Sequence, residues 1–277
     1  MNARDTTAAD TSHAGNPLLE SWTGPFGLPP FAHIEPQHFA PAFEAALAQQ
    51  ANDIDALATD TEPPNFANTI VPLDRAGTAL RRVASVFFNL AATRSSPALQ
   101  AVEREFAPRL AHARSEVLLN APLFARVDAL YRARESLALD PEARQLLERT
   151  WLDFAFAGAR LAPAARQRIA EIDERLATLY TRFRQNVLAE EEGTKLVLRS
   201  EDELAGLPDD VRDAARAAAV QAGEPDAWVV TLSRSLVVPF LSFSDRRDLR
   251  EHVFRAWTTR GGHDGPHDNR PVAREIL

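Results

Sequence analysis

The stretch Pro163-Ala-Ala-Arg-Gln-Arg-Ile-Ala-Glu-Ile-Asp-Glu-Arg-Leu-Ala-Thr-Leu-Tyr-Thr-Arg-Phe-Arg-Gln-Asn-Val-Leu-Ala189 decides the fold. Its apolar residues Ile169, Ile172, Leu176, Leu179, Phe183 and Val187 fall three or four apart, the period of one helix face. Arginines and acids fill the positions between, so the helix reads as amphipathic and packed along one side. At about 27 residues it would run roughly 40 Å, long enough to be the spine of a bundle. Leu176 and Phe183 are therefore expected to be buried against neighbouring helices.

Working toward the N-terminus, the same period recurs between helix-start signals. Asp140-Pro141 is a cap followed by proline, ahead of Leu146, Leu147, Trp151 and Phe154. Asn120 and Pro122 introduce a shorter helix carrying Leu123, Val127 and Leu130. Ser96-Pro97 opens another, with Leu99, Val102, Phe106, Leu110 and Val117 inward. Asn68 is expected to cap a helix bearing Leu73, Ala76, Leu80, Val83, Phe87 and Leu90. Phe39, Phe43, Leu47, Ile54 and Leu57 mark the first helix, with Pro36 and Pro41 near its start.

Working toward the C-terminus, the texture changes. Gly193 breaks the long helix, and residues 195–198 read as a short strand. Ser200 and Glu203 have capping-box spacing, and 208–222 is an alanine-rich helix closed by Gly223. Residues 228–232 cluster β-branched side chains and form a second strand candidate. Residues 245–260 return to helix with Leu249, Val253 and Trp257 inward, ended by Gly261-Gly262. From Asn269 a last helix begins, with Asn269 as its cap and Val272 and Ile276 four apart, and no stop signal follows before Leu277. The pattern is expected to be a truncation that leaves Val272, Ile276 and Leu277 exposed.

The sequence thus predicts a mainly α protein: an up-and-down helical bundle with a small two-strand β element near 195–198 and 228–232. Residues 1–16 are polar and read as a disordered tail, 17–190 as the bundle and 191–277 as a mixed extension. No period of 20 to 50 residues repeats, which excludes a solenoid.

Composition narrows the function. Hydrophobic residues make up 45% and charged residues 25% of the 277, as in well-packed globular proteins. A net charge of -8 argues against a nucleic-acid partner, whose phosphates need clustered cations. The 31 basic residues include one lysine, Lys195, and the arginines are dispersed among acids. With no cysteine there is no disulfide, thiolate nucleophile or Cys-ligated zinc in this span. The N-terminus lacks the apolar core of a secretory signal, and no stretch approaches the about eighteen apolar residues of a membrane span. The reading is a cytoplasmic protein without a membrane partner.

No residue set carries chemistry by itself. His263 and His267 are four apart, but Gly265 and Pro266 prevent a regular helix between them, so they read as a solvated loop. His33 and His38 flank a helix entry and suit capping or packing. His112 and His252 read as surface residues on helices, and His13 lies in the polar tail. The run Glu190-Glu191-Glu192 reads as an exposed helix end rather than an acid/base pair. Ser95-Ser96 and Ser242-Phe-Ser244 lack elbow glycines and a histidine partner, and no Gly-rich phosphate loop is present. The acids and arginines of 245–251 suit the start of a helix.

Several stretches nevertheless resemble one family when taken in order. They are Leu28-Pro-Pro-Phe31, Glu35-Pro-Gln-His-Phe39, Pro41-Ala-Phe-Glu44, Asn68-Thr-Ile70 and Val83-Ala-Ser-Val-Phe-Phe-Asn-Leu90. Leu119-Asn120, Leu123-Phe-Ala-Arg-Val127, Leu146-Leu-Glu-Arg-Thr150, Ala157-Gly-Ala159, Leu241-Ser-Phe-Ser-Asp-Arg-Arg-Asp-Leu-Arg-Glu251 and Arg255-Ala-Trp-Thr258 complete the set. Together they resemble the N-terminal region of the thimet-oligopeptidase family of zinc metallopeptidases, on its bacterial peptidyl-dipeptidase side, with oligopeptidase A a near relative. The resemblance implies part of a larger helical protein split by a channel, in which oligopeptides lose C-terminal dipeptides. It also implies a monomer whose zinc is held by a His-Glu-x-x-His helix and a downstream glutamate.

None of those zinc positions occurs here: His33 precedes Ile34 and His252 precedes Val253. The resemblance therefore carries over no catalytic, cofactor-binding or metal residue, and implies that the ligands lie beyond Leu277 and that the chain alone is inactive. A standalone helical interaction or scaffold protein is the alternative reading.

Overall fold

The computed structural model describes residues 15–277; the tail read at 1–16, with His13, lies outside the described residues except for its last two positions. Asn16 there is not a tail residue. It is buried, its Nδ2 donates to the His38 carbonyl at 2.9 Å, and its Oδ1 accepts the Leu18 amide at 3.0 Å. The fold divides into two compact units, Met1–Thr178 and Leu179–Leu277, each with its own core.

The first unit is all helical. Helices α1 (Phe39–Thr59), α2 (Val71–Arg75), α3 (Thr78–Thr93), α4 (Pro97–Leu118), α5 (Ala121–Ala133) and α6 (Pro141–Ala157) precede the long α7 (Pro163–Gly193). The punctuation works as local chemistry requires: Ser96, Asn120 and Asp140 each accept the amide three residues on, with proline in the first turn. Asn68 departs from its expected role. Asn65 caps a wide π-type turn at Phe66–Ile70, and Asn68 returns the bond to the Asn65 amide at 2.8 Å. The helix read after it is two helices, because Gly77 sits at φ +72 between α2 and α3.

Two apolar clusters hold this unit. Phe39, Phe43, Phe87 and Phe106 from α1, α3 and α4 form the first, with Phe43 stacked on Phe106 at 5.0 Å and Phe87 edge-on to Phe39 and Phe43. Ile54, Leu57, Ile70, Leu123, Val127, Leu147 and Phe154 form the second. Beside it, buried Arg126 donates to the Asp60 and Glu62 carbonyls and pairs with the Asp60 carboxylate at 2.7 Å. That bond set satisfies a loop end which the helices leave open.

The second unit begins in the last part of α7 and continues through β1 (Lys195–Leu198), α8 (Asp209–Gln221), β2 (Trp228–Thr231), α9 (Arg234–Phe243), α10 (Arg247–Thr258) and α11 (Arg270–Ile276). The two strands pair into the expected small element, and they do so antiparallel, Leu196 opposite Val230 and Val197 opposite Val229. Ser200 and Glu203 form the predicted capping box, on a 3-10 turn. The core gathers Leu198, Leu204, Val211, Ala215, Val230, Val237, Phe240 and Val253. Helix α9 has no counterpart in the sequence reading. Pro239 lies inside it and two β-branched residues stand beside it, both unfavourable to helix, yet Leu236, Val237 and Phe240 are buried and tertiary packing overrides propensity.

Three expectations about apolar burial are corrected. Phe183 is 36% exposed and Leu176 only half-buried; Leu179 is the buried apolar residue of α7. Val272 is buried at 2% exposure, whereas Leu277 is fully exposed and Ile276 intermediate. Asn269 does not cap α11. Its amide is buried, donating Nδ2 to the Phe183 carbonyl at 3.0 Å and accepting from Asn186 at 2.9 Å, so it ties the last helix to α7. Among the described residues no helix is long and apolar enough to cross a membrane.

Candidate functional site

A groove of about 670 Å³ in the first unit is lined by three helices. On α1, Glu44, Leu47, Ala48, Ala51, Ile54 and Asp55 recur at three- and four-residue steps and so share one face. On α4 the same spacing brings Arg109, His112, Ala113, Glu116 and Val117 together, and Glu174 of α7 completes the rim. The floor is small and apolar, while the rim carries four carboxylates against one guanidinium.

The rim charges are loosely paired. Arg109 Nη1 lies 3.6 Å from Glu44 and 3.4 Å from Glu105, with its guanidinium over the Phe106 ring at 4.4 Å. His112 meets Glu116 through Nε2 at 3.4 Å and Glu174 through Nδ1 at 3.5 Å. All these side chains are about half exposed, so each pair contributes at most about 1 kcal/mol. Asp55 has no ion pair among the described residues. The arrangement can hold a cation or an amphipathic segment. No serine or threonine lines it.

The second unit holds a different cluster where α7 ends. Glu190 is buried, accepts the Gly261 amide, and lies 2.8 Å from His263 Nε2. Glu191 pairs with Arg260. Of the three glutamates only Glu192 is exposed as the run predicts, because the loop after α10 folds back onto the first two. His263 is accordingly a partner of Glu190 rather than a free loop residue. Nearby, Arg270 grips Asp268 through Nε and Nη2 at 2.9 Å each, and also reaches Asp264. With the Arg270 backbone amide adding a third bond, the Asp268 carboxyl is held down at about 2.

The remaining candidates are structural. His38 Nδ1 accepts the Glu35 amide at 3.0 Å, the capping role expected at that helix entry. His33 and His252 are exposed and His267 is half-buried. Ser96 caps α4, Ser242 donates to the Val238 carbonyl and buried Ser244 accepts the Arg246 amide. The groove residues Glu44, Asp55, Arg109, Glu116 and Glu174 went unrecognised in the sequence. Their only signal is an acid-and-alanine face along α1, legible once α4 is known to lie beside it.

A zinc centre does not fit the residues present. Among the described residues no three His, Asp or Glu side chains converge to hold a metal ion. His112 is the nearest approach, but it meets its two carboxylates through opposite ring nitrogens, so the three do not face a common point.

The relatives of this sequence are peptidases. Over 262 residues, 95% of the chain, it is 34% identical to the dipeptidyl carboxypeptidase of Escherichia coli (strain K12) and 33% identical to that of Salmonella typhimurium. It is 31% identical to oligopeptidase A of Salmonella typhimurium over 266 residues. The chain spans 38% of the length of each of these proteins. No protein-family profile matches it. The chain is homologous to the dipeptidyl carboxypeptidases and oligopeptidases A, the relationship that its ordered motifs point to.

Proposed function

We propose that this chain is the helical, non-catalytic part of a cytoplasmic zinc peptidase that releases dipeptides from the free C-termini of oligopeptides. The observation that carries the reading is 34% identity across 95% of the chain to a protein named for that activity. Among the described residues no three His, Asp or Glu side chains come together, and the reading assigns zinc to the rest of the parent protein. In the parent protein the zinc ligands would stand beyond Leu277, and this chain would contribute helices and surface rather than reacting groups. The parent acts as a monomer on oligopeptides, and the net charge of -8 on this chain argues against a nucleic-acid partner for this part.

The test is to read the encoding gene past codon 277 and assay the product of the whole frame. An in-frame His-Glu-x-x-His, with chelator-sensitive dipeptide release from a blocked tetrapeptide, is the expected result. A frame without that motif, or a product that cleaves only internal bonds, would overturn the corresponding part of the reading.

A further inference from the structure

The groove of the first unit is a candidate docking surface. Along α1, Glu44 and Asp55 stand eleven residues apart, about 16 Å at the rise of an α-helix. That length matches about five residues of extended chain. Between them lie Leu47, Ala48, Ala51 and Ile54 of α1 and Ala113 and Val117 of α4, apolar side chains of which the three alanines let a backbone approach. The volume of about 670 Å³ falls among those of ligand sites.

Charge decides the occupant. The lining carries Glu44, Asp55, Glu116 and Glu174 against Arg109 alone, so an acidic or phosphorylated segment is repelled and a cationic one attracted. The internal pairs of Arg109 and His112 are exposed and long, so an arriving guanidinium can exchange with them at little cost. Asp55 faces such a ligand with no ion pair to break.

We propose that this groove binds a short extended peptide segment carrying two arginine or lysine side chains around apolar ones. The segment lays its apolar side chains on the alanine-lined floor and its cations against Glu44, Asp55, Glu116 and Glu174. This rests on the groove alone and not on the peptidase reading, and its test has no catalytic readout.

The probe is a fluorescein-labelled hexapeptide, Ala-Arg-Leu-Ala-Arg-Leu with blocked ends, titrated with the 277-residue chain at low salt and followed by fluorescence anisotropy. Saturable binding that weakens with salt is expected, and the same peptide with glutamate in place of both arginines should not bind. The doubly substituted Glu116→Gln/Glu174→Gln protein should lose about tenfold in affinity, the scale of two exposed charge pairs. Circular dichroism checks that it is folded, and Asp55→Asn provides a second variant on the α1 side of the groove. Absence of binding, equal binding of the glutamate peptide, or affinity unchanged in both variants would each overturn the proposal.

Discussion

At the residue scale, the informative side chains are those whose partners lie far off in sequence. Glu190 and Asn269 were each read from their neighbours, as an exposed helix end and a helix cap. Each is instead buried on partners about 70 to 86 positions away, and no local pattern encodes such a pairing. The short-range bonds of Ser96, Asn120, Asp140 and Ser200 were legible because a cap and its amide lie within one turn. Asp268 belongs to the local class and gives a pH prediction. Its carboxyl titrates at about 2 in the folded protein, below the ordinary value, chiefly through the Arg270 side-chain bonds. A depressed carboxylate stabilises the fold fully above its ordinary range and loses that contribution as pH falls through about 2. Arg270→Ala should return the Asp268 titration toward the ordinary aspartate value in a carbon-detected NMR titration, and with the shift gone the carboxyl's contribution to stability goes too. An unchanged titration would mean that Arg270 is not the cause.

At the element scale, periodicity identified the helices and failed at the question of what covers them. The apolar stripe of α7 is real in sequence, yet Ile172 and Phe183 on it are 40% and 36% exposed while Leu179 is buried at 2%. A helical period reports which face is apolar; burial depends on whether another element lies against that face. The exposures rank the two residues. Leu179→Ala should cost about 2–5 kcal/mol, because a buried leucine leaves a cavity as well as losing its transfer energy. Phe183→Ala should cost only about 1–2 kcal/mol, since part of the ring already meets water, and the Phe183 carbonyl would still accept from Asn269. Urea midpoints at constant m-value check the order. A Phe183→Ala loss equal to that of Leu179→Ala would show the stripe to be covered after all.

At the scale of the whole molecule, the mainly α class and the two-strand element were legible, because strong amphipathic periods and β-branched clusters are signals carried by whole segments. Kinship with peptidases was legible only as ordered motifs, none of which bears chemistry; the groove needs α1 and α4 side by side and could not be read from either. The same accounting makes a prediction about metal. Zinc held well enough for catalysis needs three convergent protein ligands with an open fourth position. Of the described histidines, His38 is bound to the Glu35 amide, His112 lies between carboxylates on opposite ring edges, and His263 is held by Glu190, whose other oxygen takes the Gly261 amide. His33, His252 and His267 join no group of three. The purified 277-residue chain is therefore expected to retain no stoichiometric zinc after dialysis against a weak chelator and to leave a blocked tetrapeptide intact. Elemental analysis and a cleavage assay on one preparation decide it. One zinc per chain, with cleavage that disappears on chelation and returns with zinc, would place the catalytic centre within these residues and refute its assignment to the rest of the parent protein.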